Sequence, residues 1–365
     1  FWLKEALSLA RALASMDPAM KPADDVDWDS LAFALKPTDS MYVATVKLGE
    51  EWSEGEIKPY GNILMSPAAG VLNYGQGAFE GLKAQRTEDG EIVLFRPDCN
   101  AARMASGAQR LGMPPVPADM FIGAVKAVVK ANARWVPPSG RGALYLRPCL
   151  WGSGGILGVA PAPEFTFLIY ACPVGPYFKG GMNPISLLVS DEYHRAAPGG
   201  QGGVKAIGNY APGMQPVLAA KKQGFAEILY LDATEHRYIE EVGAANFFCL
   251  KDGVLRTPAL VGTILPGVTR MSVIQLARDL GIEVREERVD IDLAMSAEEC
   301  FATGTAAVIA PIGKIQNGPR ITEYCDGKVG PLTKKLYDAL VGIQLGRQTD
   351  SHGWVRAITG PLAAL

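Results

Sequence analysis

Lys205 stands in GGQGGVKAIGNYAPG (199–213), among glycines, alanines and small apolar residues, well before the paired Lys221 and Lys222 that suit a solvated face. Two chemistries are open to it. On a glycine-rich loop its ammonium can reach water. In an apolar setting desolvation disfavours the charged form, lowers the pKa and leaves a nucleophilic amine able to form a Schiff base. A nucleotide phosphate loop is a weaker match: it needs Gly before its Lys and Ser or Thr after it, and the neighbours here are Val204 and Ala206.

Other stretches offer partners for such an amine. Glu240 and Glu241 are adjacent in RYIEEVGAANFF (237–248). Strand alternation sends them to opposite faces, so one faces inward, where a carboxylate needs a cation such as a protonated cofactor ring nitrogen; on an edge strand both are solvated instead. In GTILPGVTRMSV (262–273), Gly267, Val268 and Thr269 open a helix whose free N–H groups could hold a phosphate, or Thr269 is simply its cap. Thr303-Gly304-Thr305-Ala306 forms a turn between apolar runs, either an ordinary connection or a place where small residues let a ligand approach the backbone. Arg103 falls on a helix, while Tyr74, Phe79, Tyr145 and Arg147 fall in or beside strands. Taken singly, such residues are solvated or core.

The elements that position these residues follow from periodicity. Strands are predicted at SMYVATVKL, GEIVLFRP (after an Asp89-Gly90 hairpin turn), ALYLRPCLWG and EFTFLIYACPVG, with helices over 100–111 and DMFIGAVKAVVKANARWV. The second half repeats the strand pattern at ISLLVSDEY, AEILYLD, YIEEV and NFFCL-KDG-VLRTP, followed by a helix over 269–280 stopped by Gly281. The Gly/Pro-rich PYFKGGMNP marks a linker. The expected fold is α+β: a small N-terminal domain (1–178, with 1–27 as an extension), a linker at 179–189, and a larger β-rich domain with outer helices (190–365).

Composition bounds the function. Hydrophobic residues make up 48% and charged residues 20%, as in an ordered globular chain, and a net charge of −3 gives no general attraction to nucleic acid. No apolar run is long enough for a membrane span. Six irregularly spaced cysteines without C-x-x-C suit a reducing compartment, and no metal site is expected. Residues 1–16 set Leu3 with Leu7 and Leu9 with Leu13 at helical spacing with few acids, as in either an organelle-targeting remnant or a docked helix.

The order of the motifs is far more specific than any one of them: F-E-G, R-P-x-x-N-x-x-R-M, Y-x-R-P, C-P-V-G-x-Y-F, G-x-V-K-x-x-x-N-Y, E-V-G-x-x-N-x-F, L-P-G-V-T-R and G-T-A. From Trp28 to Trp354 the chain resembles the branched-chain amino acid aminotransferases of the fold type IV pyridoxal-phosphate class, the plant-type enzymes most closely. The resemblance implies that the larger domain is a pseudo-barrel and that pyridoxal 5'-phosphate forms a Schiff base with Lys205. Glu241 would face the pyridinium nitrogen and Tyr210 the ring phenolate. Val268 and Thr269 amides, the Thr305 hydroxyl and the Arg103 guanidinium would hold the phosphate. The substrate α-carboxylate is expected at the Thr305 and Ala306 amides, its side chain among Phe79, Tyr145 and Tyr177, with Tyr74 reaching in from a partner subunit. Arg147 and tyrosine hydroxyls would take the distal carboxylate of glutamate.

Reversible ping-pong transamination of Leu, Ile or Val with 2-oxoglutarate follows from that assignment, in a homodimer of the chloroplast or the mitochondrion. Two departures from the family matter. Ala306 and its neighbours leave no C-x-x-C after the G-T-A turn, so no thiol switch is expected there, and Gly243-Ala244-Ala245 lacks the hydroxyl usual after E-V. A D-amino acid aminotransferase or an aminodeoxychorismate lyase would share Lys205 and Glu241 but differ in the pocket.

Overall fold

The computed structural model describes residues 21–176, 182–190 and 192–359. The 1–16 stretch and Tyr177 lie outside them. The chain divides into two units, one running up to Pro176 and resuming at Gly342, the other spanning Tyr177–Val341. This differs from the division expected from the sequence: the C-terminal segment belongs with the first unit, and strand Ile185–Ser190 occupies part of the supposed linker.

The first unit is built on an eight-stranded sheet of β1 (Ser40–Lys47), β2 (Glu56–Pro59), β3 (Gly77–Phe79), β4 (Leu82–Arg86), β5 (Ile92–Phe95), β6 (Ala143–Gly152), β7 (Glu164–Val174) and β18 (Val355–Ala357), in the order β18-β5-β4-β6-β7-β1-β2, with β3 also on β6. Alternation along the long β6 and β7 sorts their faces. Leu144, Leu146, Leu150, Phe165, Phe167 and Ile169 are fully buried on one face. Two helices cover it, Pro97–Arg110, opened by a proline in its first turn, and Ala118–Ala131, through Met104, Phe121, Val125 and Val128. The opposite face carries Tyr145 and Arg147, so helix packing on one side fixes the chemistry-bearing side chains on the other.

The second unit contains β8 (Ile185–Ser190), β9 (Glu227–Leu231), β10 (Tyr238–Val242), β11 (Ala245–Lys251), β12 (Val254–Pro258), β13 (Glu283–Glu287), β14 (Val289–Asp290), β15 (Glu299–Gly304), β16 (Val308–Asn317) and β17 (Arg320–Glu323). Six of them, β11-β15-β16-β8-β9-β10, close into a barrel through the additional β10–β11 pairing. Its core includes Leu187, Leu229, Ile239, Phe247, Cys249, Ala302 and Ile315. The expected β-rich pseudo-barrel domain is therefore present. Strands β8 and β9 are parallel, which demands a long crossover instead of a hairpin. That crossover contains Lys205 and the Met214–Lys222 helix. Among the described residues no helix is long and apolar enough to cross a membrane.

Phe167 concentrates the first core: its ring lies 6.0 Å from Tyr42, 6.3 Å from Trp52 and 5.9 Å from Phe121. Phe167→Ala should destabilise this unit by about 3–5 kcal/mol, read as a lowered midpoint in urea unfolding.

Candidate active site

Lys205 Nζ donates to the Tyr210 hydroxyl at 3.1 Å. Two 3₁₀ turns, Ile207–Asn209 and Ala211–Gly213, bring the tyrosine back towards the lysine, and Asn209 Nδ2 ties the loop shut on the carbonyls of Gln201 (2.8 Å) and Val204 (3.0 Å). The glycines before Lys205 have a specific task. Side chains at Gly202 or Gly203 would collide with the carbonyls of Thr263 and Gly262, and Gly203 N–H donates to Gly262 at 2.8 Å. Here they serve the approach of one backbone to another.

Glu240 and Glu241 do not divide between an inner and an outer face as simple alternation predicts. The register of β10 against β9 shifts between Ile239 and Glu241, and both acids are buried. The partner is Arg195, a residue that sequence reasoning missed because an arginine within SDEYHRAAPGG carries no periodic or motif signal. Its Nε lies 2.6 Å from Glu241 Oε2, with both side chains buried, and it donates through NH1 to the carbonyls of Gly202 (3.3 Å) and Thr263 (3.2 Å). Glu241 Oε1 accepts from Asn246 Nδ2 at 2.9 Å. Oε2 pairs with Arg195 by charge alone and has no hydrogen-bond partner. Burial pushes the Glu241 carboxyl up to about 7, against the pull of Arg195 and, more weakly, of Lys205. Burial also raises Glu240, opposed by the Thr263 hydroxyl and Arg195.

Gly267, in extended conformation, is the N-cap of the Val268–Asp279 helix, and no side chain caps it. Thr269 is therefore not the cap; it lies buried in the first turn with Val268. Asn246 Nδ2 also donates to the Leu265 carbonyl at 2.9 Å, joining this helix entry to Glu241. Thr303 belongs to β15, where it pairs with Asn246, and Thr305 and Ala306 form the turn into β16, which opens at Val308 with φ 63°. A β-branched residue at positive φ is strained, so this turn is held in place by its surroundings.

The first unit assembles a second group. The Arg147 guanidinium lies 4.7 Å from the Phe79 ring centroid and 5.3 Å from that of Tyr145, whose hydroxyl accepts from NH2 at 3.4 Å. A side chain at Gly81 would collide with that hydroxyl. Two further members went unseen in the sequence. Phe33 meets Tyr145 edge-on with ring centroids 5.1 Å apart, and Lys83 sits opposite Tyr145 in the β4–β6 register. Arg103 is held by the fully buried Glu80, from Nε to Oε1 at 2.7 Å and from NH2 to Oε2 at 2.8 Å, with Asn100 Nδ2 also on Oε2 at 2.7 Å. Tyr74 ends the short Gly70–Tyr74 helix and donates its hydroxyl to the Leu157 carbonyl.

A lysine paired with a tyrosine, a buried carboxylate with one unsatisfied oxygen, an uncapped helix start and an adjoining turn fit a phosphorylated heteroaromatic cofactor. The Amino-transferase class IV model matches residues 77–315, and the chain belongs to that family. Within it, this chain is a branched-chain-amino-acid transaminase. It is 53% identical to branched-chain amino acid aminotransferase 2, chloroplastic, of Humulus lupulus, over 90% of this chain and 81% of that protein. It is 48% identical to the methionine aminotransferase BCAT4 of Arabidopsis thaliana, over 90% of this chain and 93% of that one. The T.th. branched-chain amino acid aminotransferase solved with pyridoxamine 5'-phosphate superposes with a TM-score of 0.77 at 27% identity, covering 89% of this chain and 100% of that one.

Lys83 gives a pH-dependent test. Burial pulls its ammonium down to about 8 from an ordinary 10.5. A depressed amine costs stability while protonated: the deficit is complete below pH 8 and fades as pH rises towards 10.5. Lys83→Met should therefore stabilise the protein by up to about 3 kcal/mol at pH 7 and much less at pH 10, in urea titrations at the two pH values.

Proposed function

We propose that the chain transfers the amino group of leucine, isoleucine or valine to 2-oxoglutarate, reversibly and by a ping-pong mechanism, with Lys205 as the Schiff-base lysine of pyridoxal 5'-phosphate. The observation that carries this reading is the pairing of Lys205 with Tyr210, in the electrostatic reach of the buried Glu241. The cofactor, when bound, supplies an electron sink for the carbanion left at Cα.

The remaining chemistry falls to the chain's own side chains. Glu241 holds a proton on the cofactor's ring nitrogen, and Arg195 and Asn246 fix the carboxylate that does so. Tyr210 donates to the ring phenolate oxygen. Lys205 Nζ would be the base that takes the proton from the substrate Cα and the acid that gives it back in the product-forming direction. The first-turn amides of Val268 and Thr269, the Thr305 hydroxyl and Arg103 bind the phosphate, Glu80 orienting the guanidinium. Amides of Thr305 and Ala306 take the α-carboxylate. Phe79, Tyr145 and Tyr177 accept a branched side chain, and Arg147 with the Tyr145 hydroxyl accepts the distal carboxylate of glutamate.

The same reading makes the protein a homodimer. Leu72 on the helix that ends at Tyr74, and Leu64, Leu157 and Val159 on loops, leave large apolar surface in water, with Leu157 and Val159 exposed by 91% and 88%. Tyr74 then belongs to the site of the partner copy. The chloroplast is the proposed compartment, as the name of the Humulus relative states for that protein.

Two measurements test this. The purified protein should show a violet-edge absorbance band that shifts to the pyridoxamine form on adding leucine alone, and Lys205→Ala should lose both the band and transamination; a Lys205→Ala enzyme with full activity would end the reading. A response to D-amino acids alone would point to the D-amino acid enzymes, and methionine in place of leucine tests the preference named for BCAT4. In sedimentation, the protein should run at twice its chain mass, and the surface pair Leu157→Glu with Val159→Glu should run as a monomer.

A further inference from the structure

Behind Tyr210, on the crossover that carries Lys205, lies a cavity of about 320 Å³ in the second unit, a size suited to a small molecule. Tyr193, Tyr210, Met214, Val217, Glu227 and Tyr230 are among its walls. Lys205, Glu241, Val268, Thr269 and Thr305 do not line it; it shares Tyr210 and Arg195 with the surroundings of the proposed cofactor site.

Its surface is mostly apolar, and its polar groups besides the tyrosines are His194, Arg195, Asn209 and Glu227. Tyr230 is 3% exposed, yet its hydroxyl has no hydrogen-bond partner. Gly213 leaves room in front of it, since a Cβ there would stop 3.4 Å from the hydroxyl oxygen. An unsatisfied buried hydroxyl asks for a ligand group. Glu227 presents its carboxyl beside Gly243, with Oε1 accepting from the Ile228 N–H at 2.9 Å. Burial raises this carboxyl, opposed by the Ile228 N–H and by Lys221, and burial together with the Glu227 charge raises the Tyr230 hydroxyl. Arg195, also in the wall, gives its charge to Glu241 and its NH1 to the carbonyls of Gly202 and Thr263. His194 Nδ1 lies 3.4 Å from the Leu231 carbonyl and Asn209 Nδ2 donates to the carbonyls of Gln201 and Val204, so the Glu227 carboxyl and the Tyr230 hydroxyl are the groups the cavity offers a ligand. An anion would find its guanidinium already engaged.

We propose that this cavity binds a small apolar amine, whose ammonium donates to the Glu227 carboxylate and the Tyr230 hydroxyl oxygen while its hydrocarbon part rests on Tyr193, Tyr210, Met214 and Val217. The tyrosine rings favour the cation further, and the ammonium restores ionisation to a carboxyl that burial disfavours. The occupant rests against the ring whose hydroxyl contacts Lys205 Nζ, which couples the cavity to that lysine. The binding itself needs no transamination chemistry.

The test is calorimetric titration of the purified enzyme with N,N-dimethyl-2-phenylethylamine, a tertiary amine that cannot condense with a carbonyl. One saturable site is expected, retained in Lys205→Ala and in enzyme saturated with leucine, with 3-phenylpropionate failing to compete. Glu227→Gln and Tyr230→Phe should each weaken binding roughly tenfold. If either variant fails to fold, Val217→Trp, which fills the cavity from a partly exposed helix position, should abolish binding. The proposal is overturned by absence of a saturable site, by equal competition from the anion, by loss of binding when leucine is present, or by affinity unchanged in these variants.

Discussion

A carboxylate buried to the extent of Glu241 cannot stay ionised without a counter-charge, and Arg195 is the counter-charge this fold provides. The requirement reaches beyond one ion pair. Arg195 comes from the start of the crossover, its NH1 holds the carbonyls of Gly202 and Thr263, and Asn246 links Glu241 to the Leu265 carbonyl. Three stretches distant in sequence, 195–202, 241–246 and 263–265, are thereby tied to a single carboxyl. Removing the guanidinium would leave two buried acids, Glu240 as well as Glu241, with no strong cation between them.

The barrel makes this arrangement possible. The parallel pairing of β8 with β9 requires a crossover, and closure through β10–β11 puts the acids on a strand bonded along both edges. In the first unit the logic is simpler. Helices seal one face of β6 and β7, leaving Tyr145 and Arg147 to project from the other with positions set by the sheet, where Gly81 clears space for the tyrosine hydroxyl. Rigid strands, instead of loops, hold that aromatic and cationic group.

The regular elements were legible because their periodicity is strong: β6, β7, β10 and the Val268–Asp279 helix fall within a residue or two of the sequence-based spans. Lys205 and Tyr210 were legible as a motif, and the structure joins them by a hydrogen bond. The failures have physical causes. A register shift in β10 buries Glu240 and Glu241 together, which no alternation rule anticipates. Arg195, Phe33 and Lys83 acquire their roles from contacts with residues remote in sequence, so neither neighbours nor spacing announce them. The return of the chain to the first sheet through β18 is equally silent, because a strand of three residues has almost no pattern.

The short outer strands also bear on how copies of the chain can meet. Closing the barrel removes its open edges, and among the described residues every strand left at a margin is brief: β3 and β18 have 3 residues, β2 and β17 have 4, β14 has 2, and the 5-residue β13 carries Glu283, Arg285, Glu286 and Glu287. Backbone templates for runaway strand addition are therefore small or charged. Self-association is steered towards side-chain surfaces, which can form a closed pair, and away from open-ended polymerisation through strand edges.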